Sequence, residues 1–188
     1  SESINADHNL EWKLTANDFV KELLKSTPLM SLKKFSNKIR YNHYKNVNYV
    51  FDKLAETAKM PSPHVVFAHI LCPHTPYVFD ENGGFTWQVG YYIPDGSELM
   101  INEQKRKYLA QLKYVDKRTT QLVDSILANS KKKAVIIIQG DHGIRWPLKF
   151  KTVDTSRNRY FFAILNALYF PGFDYSKLDN NITPVNTF

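Results

Sequence analysis

The sequence predicts an α/β fold in which a mostly parallel sheet is flanked by helices. Residues 63–71 (PHVVFAHIL) and 134–139 (AVIIIQ) are short, apolar and rich in β-branched side chains, as buried strands are. Between them, residues 104–130 place apolar side chains along one helical face, from Tyr108 to Ile126. A strand, a long helix and a strand in this order favour a parallel pair joined by a right-handed crossover.

Helical spacing, proline and glycine divide the rest of the chain. Residues 16–26 and 44–59 carry apolar side chains at helical intervals, and prolines follow both patterns. Residues 72–103 are rich in proline and glycine, which predicts a long loop. Residues 159–168 combine aromatic and aliphatic side chains and are predicted to form a further strand.

We expect one domain over residues 1–188, with a helical lead-in at 1–62 and a sheet-bearing core at 63–188. The first residue is Ser1 rather than a methionine, and the sequence stops abruptly at Phe188. We interpret both ends as those of a piece cut from a larger catalytic domain.

Charge and cysteine content exclude several classes of protein. The chain has 25 Lys+Arg against 18 Asp+Glu, a net charge of +7 that favours anionic partners. Because no nucleic-acid-reading motif accompanies this charge, we expect no nucleic-acid partner. A single cysteine, Cys72, excludes an internal disulfide and a cysteine-rich zinc module. No apolar run reaches the ~18 residues that a membrane span needs.

The strongest candidate site is Gly140-Asp141-His142-Gly143, directly after the apolar run 134–139. Ligands of open α/β sheets bind at the carboxyl ends of strands. A carboxylate beside an imidazole at that edge can bind a divalent metal through oxygen and nitrogen. The alternative is a turn in which Asp141 caps a helix and His142 is solvated.

Two further histidines, His69 and His74, bracket the segment His-Ile-Leu-Cys-Pro-His. Prolines on both sides restrict the backbone around His74, which suits a metal ligand or an anion-binding donor. The alternative is that His69 is a hydrogen-bonded core residue and His74 an ordinary loop residue.

These motifs together resemble the sulfatase/alkaline-phosphatase superfamily, and most of all lipoteichoic-acid synthases and phosphoethanolamine transferases. The resemblance covers residues from about 44 to 188. It is carried, in chain order, by the following segments: His69 with His74-Thr75-Pro76-Tyr77, Leu112 to Asp116, Asp141-His142-Gly143, Asn166 to Pro171, and Thr183 to Phe188.

The resemblance implies a partial alkaline-phosphatase-like fold and a set of site residues. Asp141 and His142 match metal ligands for a divalent ion, which could be Zn, Mn, Mg or Ca. His74 matches a histidine that contacts the transferred phosphate or sulfate, or a second metal, and His69 is the weaker match. Arg145 is a further candidate for holding an anionic substrate, although a surface arginine is the simpler interpretation.

The resemblance also implies an enzyme that acts on phosphate or sulfate esters through a covalent intermediate. Cys72-Pro73-His74-Thr75-Pro76 departs from the Cys- or Ser-x-Pro-x-Arg pattern of sulfatases, so we expect the nucleophile upstream, outside this chain. We expect this segment alone to be inactive, its truncated sheet to self-associate, and the parent protein to be membrane-anchored and extracytoplasmic. The alternative is a non-catalytic domain that binds an anionic glycan or lipid head group.

Overall fold

The computed structural model describes residues 33–87, 98–144 and 162–177. Within these ranges the chain forms helix α1 (Lys33–Thr57), helix α2 (Glu98–Asn129), strand β1 (Ile136–Gln139), strand β2 (Asn166–Tyr169) and a 3-10 helix (Tyr175–Lys177). The predicted helix at 16–26 lies outside the described residues. Neither described helix is both long enough and apolar enough to cross a membrane.

Both helices begin earlier than predicted. Helix α1 begins at Lys33 instead of residue 44, and α2 begins at Glu98 instead of residue 104. The apolar pattern is weak in these first turns, so periodicity did not detect them. In α2, polar pairing accompanies the early turns, because Glu103 accepts hydrogen bonds from Arg106 at 2.8 and 2.9 Å.

The core lies where α1, α2 and the segment after the first helix meet. Val47 and Phe51 of α1 pack with Tyr114 and Val115 of α2, and Val78 and Phe79 complete this buried cluster. The Phe79 ring stacks on that of Tyr114 at a centroid distance of 4.6 Å. The irregular segment that contains Val78 and Phe79 is therefore packed against both helices.

A sharp turn at Gly83 brings that segment against α2. Gly83 has φ of +90°, and a Cβ there would lie 2.3 Å from a ring carbon of Tyr114. Asp80 closes the turn by accepting hydrogen bonds from the backbone N–H groups of Asn82 and Gly84, each at 2.8 Å. Any side chain at position 83 would be strained and would collide with the core.

The described sheet is antiparallel, which corrects the prediction of a mostly parallel one. Strand β1 pairs with β2 in the register Ile136↔Tyr169 to Gln139↔Asn166. The parallel prediction required residues 63–71 as the partner of β1, but β1 pairs with the strand that follows it in the chain. The prediction of a strand within 159–168 holds only in part, because β2 begins at Asn166.

The segment 64–71 is not the buried strand that its composition predicts. Val65 and Phe67 are 97% and 91% exposed. No backbone hydrogen bond joins residues 64–69 to another part of the described chain. β-branched composition favours an extended backbone, but a strand also needs a neighbour to satisfy its N–H and C=O groups.

Candidate functional site

Asp141 and His142 lie immediately beyond the carboxyl end of β1, where Gly140 N–H donates to the Leu165 carbonyl at 2.9 Å. The His142 Nδ1 lies 2.7 Å from the carbonyl oxygen of Gly143. A carbonyl only accepts, so this nitrogen carries a proton, and in the neutral ring Nε2 is the acceptor. Nε2 lies 4.0 Å from Oδ2 of Asp141, whose carboxylate is exposed. The pair thus offers one nitrogen and one oxygen donor side by side.

His74 lies against His142 although the two are 68 positions apart. Their ring centroids are 6.2 Å apart and the rings are nearly perpendicular, at 77°. His74 Nδ1 lies 2.8 Å from the Thr75 carbonyl, so it also donates to the backbone and leaves Nε2 as an acceptor. Two imidazoles with the same fixed tautomer therefore meet at the end of β1, and such backbone hydrogen bonds are typical of histidines that bind metals.

Gln111 of α2 holds the backbone around His74, and sequence analysis missed it. Its side chain is completely buried. Its Oε1 accepts from the N–H groups of Val78 and Phe79 at 2.7 and 3.2 Å. Its Nε2 donates to the carbonyls of Pro73 and His74, both at 3.1 Å. Polar residues at helical spacing are usually exposed, so nothing local in the sequence marks this one.

Arg40 of α1 holds the same segment from the other side. Its Nη2 donates to the carbonyls of Tyr77 and Thr86 at 2.6 and 3.1 Å. One turn further along, the buried Nε2 of His43 has no hydrogen-bond partner among the described residues. Burial lowers the pKa of His43, and electrostatic interactions with His74 and with Arg40 lower it further. This third imidazole near the site also escaped sequence analysis.

Cys72 is unsuited to act as a nucleophile. Burial raises the pKa of its thiol to about 12. It packs beside the core cluster and stays protonated at neutral pH, so the reactive thiolate is scarce. The structure thus places this cysteine among the packing residues, in line with its departure from the sulfatase nucleophile pattern.

The remaining candidates do not join this group. His69 lies in the exposed segment 64–69 and takes no part in the contacts between His74 and His142. Arg145 lies outside the described residues. A tetrahedral ion bonded to both side chains at about 2.0–2.2 Å would hold the donor atoms of Asp141 and His142 roughly 3.4 Å apart, so their separation of 4.0 Å would have to shorten on binding. Residues 33–87, 98–144 and 162–177 contain no group of three or more His, Cys, Asp or Glu that could hold a metal. The pair therefore fits an ion only as part of a coordination shell.

The sulfatase family model matches residues 8–173, and the chain belongs to that family. The match begins well before residue 44, so it includes the helical region that sequence analysis left outside the resemblance. Membership implies an α/β domain of the ester-hydrolase type. Comparison with curated proteins and with solved structures found no match.

Proposed function

We propose that the chain forms part of a metal-dependent enzyme that hydrolyses or transfers a phosphate or sulfate ester. Asp141 and His142 would hold a divalent ion, and His74 would contact the anionic group of the substrate or a second ion. The single observation that carries the proposal is the meeting of His74 and His142 at the end of β1, with the Nδ1 of each ring bound to a backbone carbonyl. Membership of the sulfatase family supports it.

The residues of this chain would bind and orient the ester. A divalent ion there would polarise the ester and stabilise the charge that develops on its oxygens. We place the nucleophile upstream, outside this chain. Its oxygen would bond to phosphorus or sulfur as the leaving group departs, and water or an acceptor would then release the bound group. In line with the resemblance, we further propose a membrane-anchored parent protein and a lipid head group or glycan as substrate.

Turnover of p-nitrophenyl phosphate and p-nitrophenyl sulfate by the full-length protein, with and without added divalent metal, tests this proposal. We expect metal-dependent release of p-nitrophenol from at least one of the two esters. Asp141→Asn and His142→Ala should each lower kcat/KM by at least about 100-fold, because loss of residues outside the coordination shell already costs roughly 10–100-fold.

His64→Gln is the matched control, because His64 is exposed and its Nδ1 contacts the carbonyl of Pro61 rather than any site residue. It should keep full turnover. If Asp141→Asn and His142→Ala turn over both esters as fast as the unchanged protein, the assignment of the metal pair is wrong.

The second candidate function is a non-catalytic domain of sulfatase type that binds an anionic glycan or lipid head group. It is favoured by the finding that the described residues offer two donors for an ion rather than a complete shell. It predicts binding of inorganic phosphate or sulfate by calorimetry with no turnover of either ester at any metal concentration. Metal-dependent turnover of either ester would exclude it.

A further inference from the structure

The segment 73–79, which carries His74, takes no part in the described two-stranded sheet; its described ladder contact is an isolated bridge between Phe79 and Phe85 at its far end. Buried backbone groups need partners, and an irregular segment cannot obtain them from a regular ladder. Gln111 supplies four such partners from a single side chain. An amide has two donor protons and two acceptor lone pairs, so every hydrogen-bonding position of Gln111 is in use.

Two of the four hydrogen bonds are accepted by Oε1 of Gln111 and two are donated by its Nε2, and the two pairs bind different parts of the segment. The acceptor half binds Val78 and Phe79, which belong to the buried core cluster. The donor half binds the carbonyls of Pro73 and of His74 itself. Gln111 thereby joins the histidine of the site to the core through α2. Tyr114, one turn along the same helix, anchors the other end of the segment by stacking on Phe79.

We propose that Gln111 is a positioning residue that sets where the His74 ring stands relative to His142. The donor half of its amide fixes the His74 carbonyl, and the ring is in turn held by its own hydrogen bond to Thr75. The distance between the two imidazoles then depends on α2 and not on a neighbouring strand. The expected loss of turnover rests on the proposed function, whereas the expected change in the contact between the two rings does not.

Gln111→Glu tests the two halves separately. A carboxylate still accepts from Val78 and Phe79, but it has no proton to donate to the carbonyls of Pro73 and His74 and repels them instead. We expect the His74 ring resonances to shift, and the nuclear Overhauser contact between the His74 and His142 rings to be lost. Turnover of whichever p-nitrophenyl ester the full-length protein accepts should fall by roughly 10–100-fold, as for residues that orient ligands.

Two controls separate positioning from general loss of stability. Gln121→Glu makes the same chemical change at an exposed position of the same helix and should alter neither signal. Tyr114→Phe removes hydrogen bonds to Asn48 and Arg118 and should lower stability while keeping the ring contact between His74 and His142. If Gln111→Glu retains that contact, Gln111 does not position His74 and the inference is overturned.

The unchanged protein gives a second test that holds even if Gln111→Glu does not fold. Both side-chain amide protons of Gln111 should exchange slowly with solvent and show contacts to the Pro73–His74 backbone. Rapid exchange of these protons would overturn the inference. Loss of the ring contact in a protein that turns over neither ester would leave positioning intact and count against the proposed function alone.

Discussion

At the scale of single residues, His43 is the imidazole whose ionisation the fold opposes most clearly. It lies on the inner side of α1, and its buried Nε2 has no partner among the described residues. Burial disfavours the charged ring and lowers its pKa, and the electrostatic interactions with His74 and with Arg40 act in the same direction. The folded protein therefore takes up this proton at a lower pH than the unfolded chain does.

This difference predicts a loss of stability on acidification. The unfolded state binds a proton at His43 from about pH 6.5 downwards, whereas the folded state binds it only below its lowered pKa. Between these two values the unfolded state holds more protons, so the free energy of unfolding falls as the pH falls. His43→Gln should flatten that slope, as measured by urea unfolding at several pH values between 7.5 and 5.

The exposed His64 supplies the comparison, since His64→Gln changes the same residue type outside the core. Its unfolding free energy should keep the pH slope of the unchanged protein. An identical slope in His43→Gln and the unchanged protein would show that His43 does not contribute to the acid sensitivity.

At the scale of elements, Arg118 is the main polar link between α1 and α2. Its Nη2 lies 2.6 Å from Oδ1 of Asp52, and its Nη1 donates to Asn48 and to the Tyr114 hydroxyl at 3.2 and 3.1 Å. Its guanidinium also lies over the Phe51 ring, 5.2 Å from the centroid. The arginine thus combines an ion pair with hydrogen bonds and packing.

We predict that these contributions are unequal. Asp52 is largely exposed, so Asp52→Asn should cost less than about 1 kcal/mol of unfolding free energy. Arg118→Met should cost about 1–2 kcal/mol, because it also removes the hydrogen bonds to Asn48 and Tyr114 and alters packing on Phe51. Urea unfolding of both variants checks this order, and a larger loss in Asp52→Asn would show that the ion pair dominates.

The elements were predictable where local pattern decides them. The helical face from Tyr108 to Ile126 is a repeated signal that needs no knowledge of the rest of the chain, and α2 covers nearly all of it. The pairing of strands depends on partners that are distant in sequence. For that reason the apolar run at 134–139 predicted a strand correctly, but its direction relative to its neighbour was wrong.

The candidate site divides in the same way. Position at the end of an apolar run singled out Asp141 and His142, and flanking prolines singled out His74. Gln111 bonds the His74 carbonyl from 37 positions away, and His43 interacts electrostatically with His74 from 31 positions away, and no spacing rule predicts either interaction. Side chains that support a site from another element become visible only when the elements are packed together.

At the scale of the whole molecule, the extended segment 64–71 exposes several large apolar side chains close together in sequence. Val65 and Phe67 are almost fully exposed, and Leu71 is more than half exposed. The backbone of 64–69 makes no hydrogen bond to the other described residues, so within that part of the chain the segment presents both apolar side chains and unpaired backbone groups. Such an extended edge is a template for strand addition. We propose that a second copy of this chain pairs with it.

This pairing predicts concentration-dependent self-association of the 188-residue chain in analytical ultracentrifugation. Phe67→Lys should shift the population towards monomer. Pairing would either remove water from the new charge or, in an antiparallel pair centred there, bring the same charge of both copies together. Leu99→Lys makes the same apolar-to-charged change on α2, at a side chain that is 82% exposed, and should leave the association unchanged. If both variants dissociate equally, general surface hydrophobicity drives the association; if neither does, residues 64–71 are not the interface.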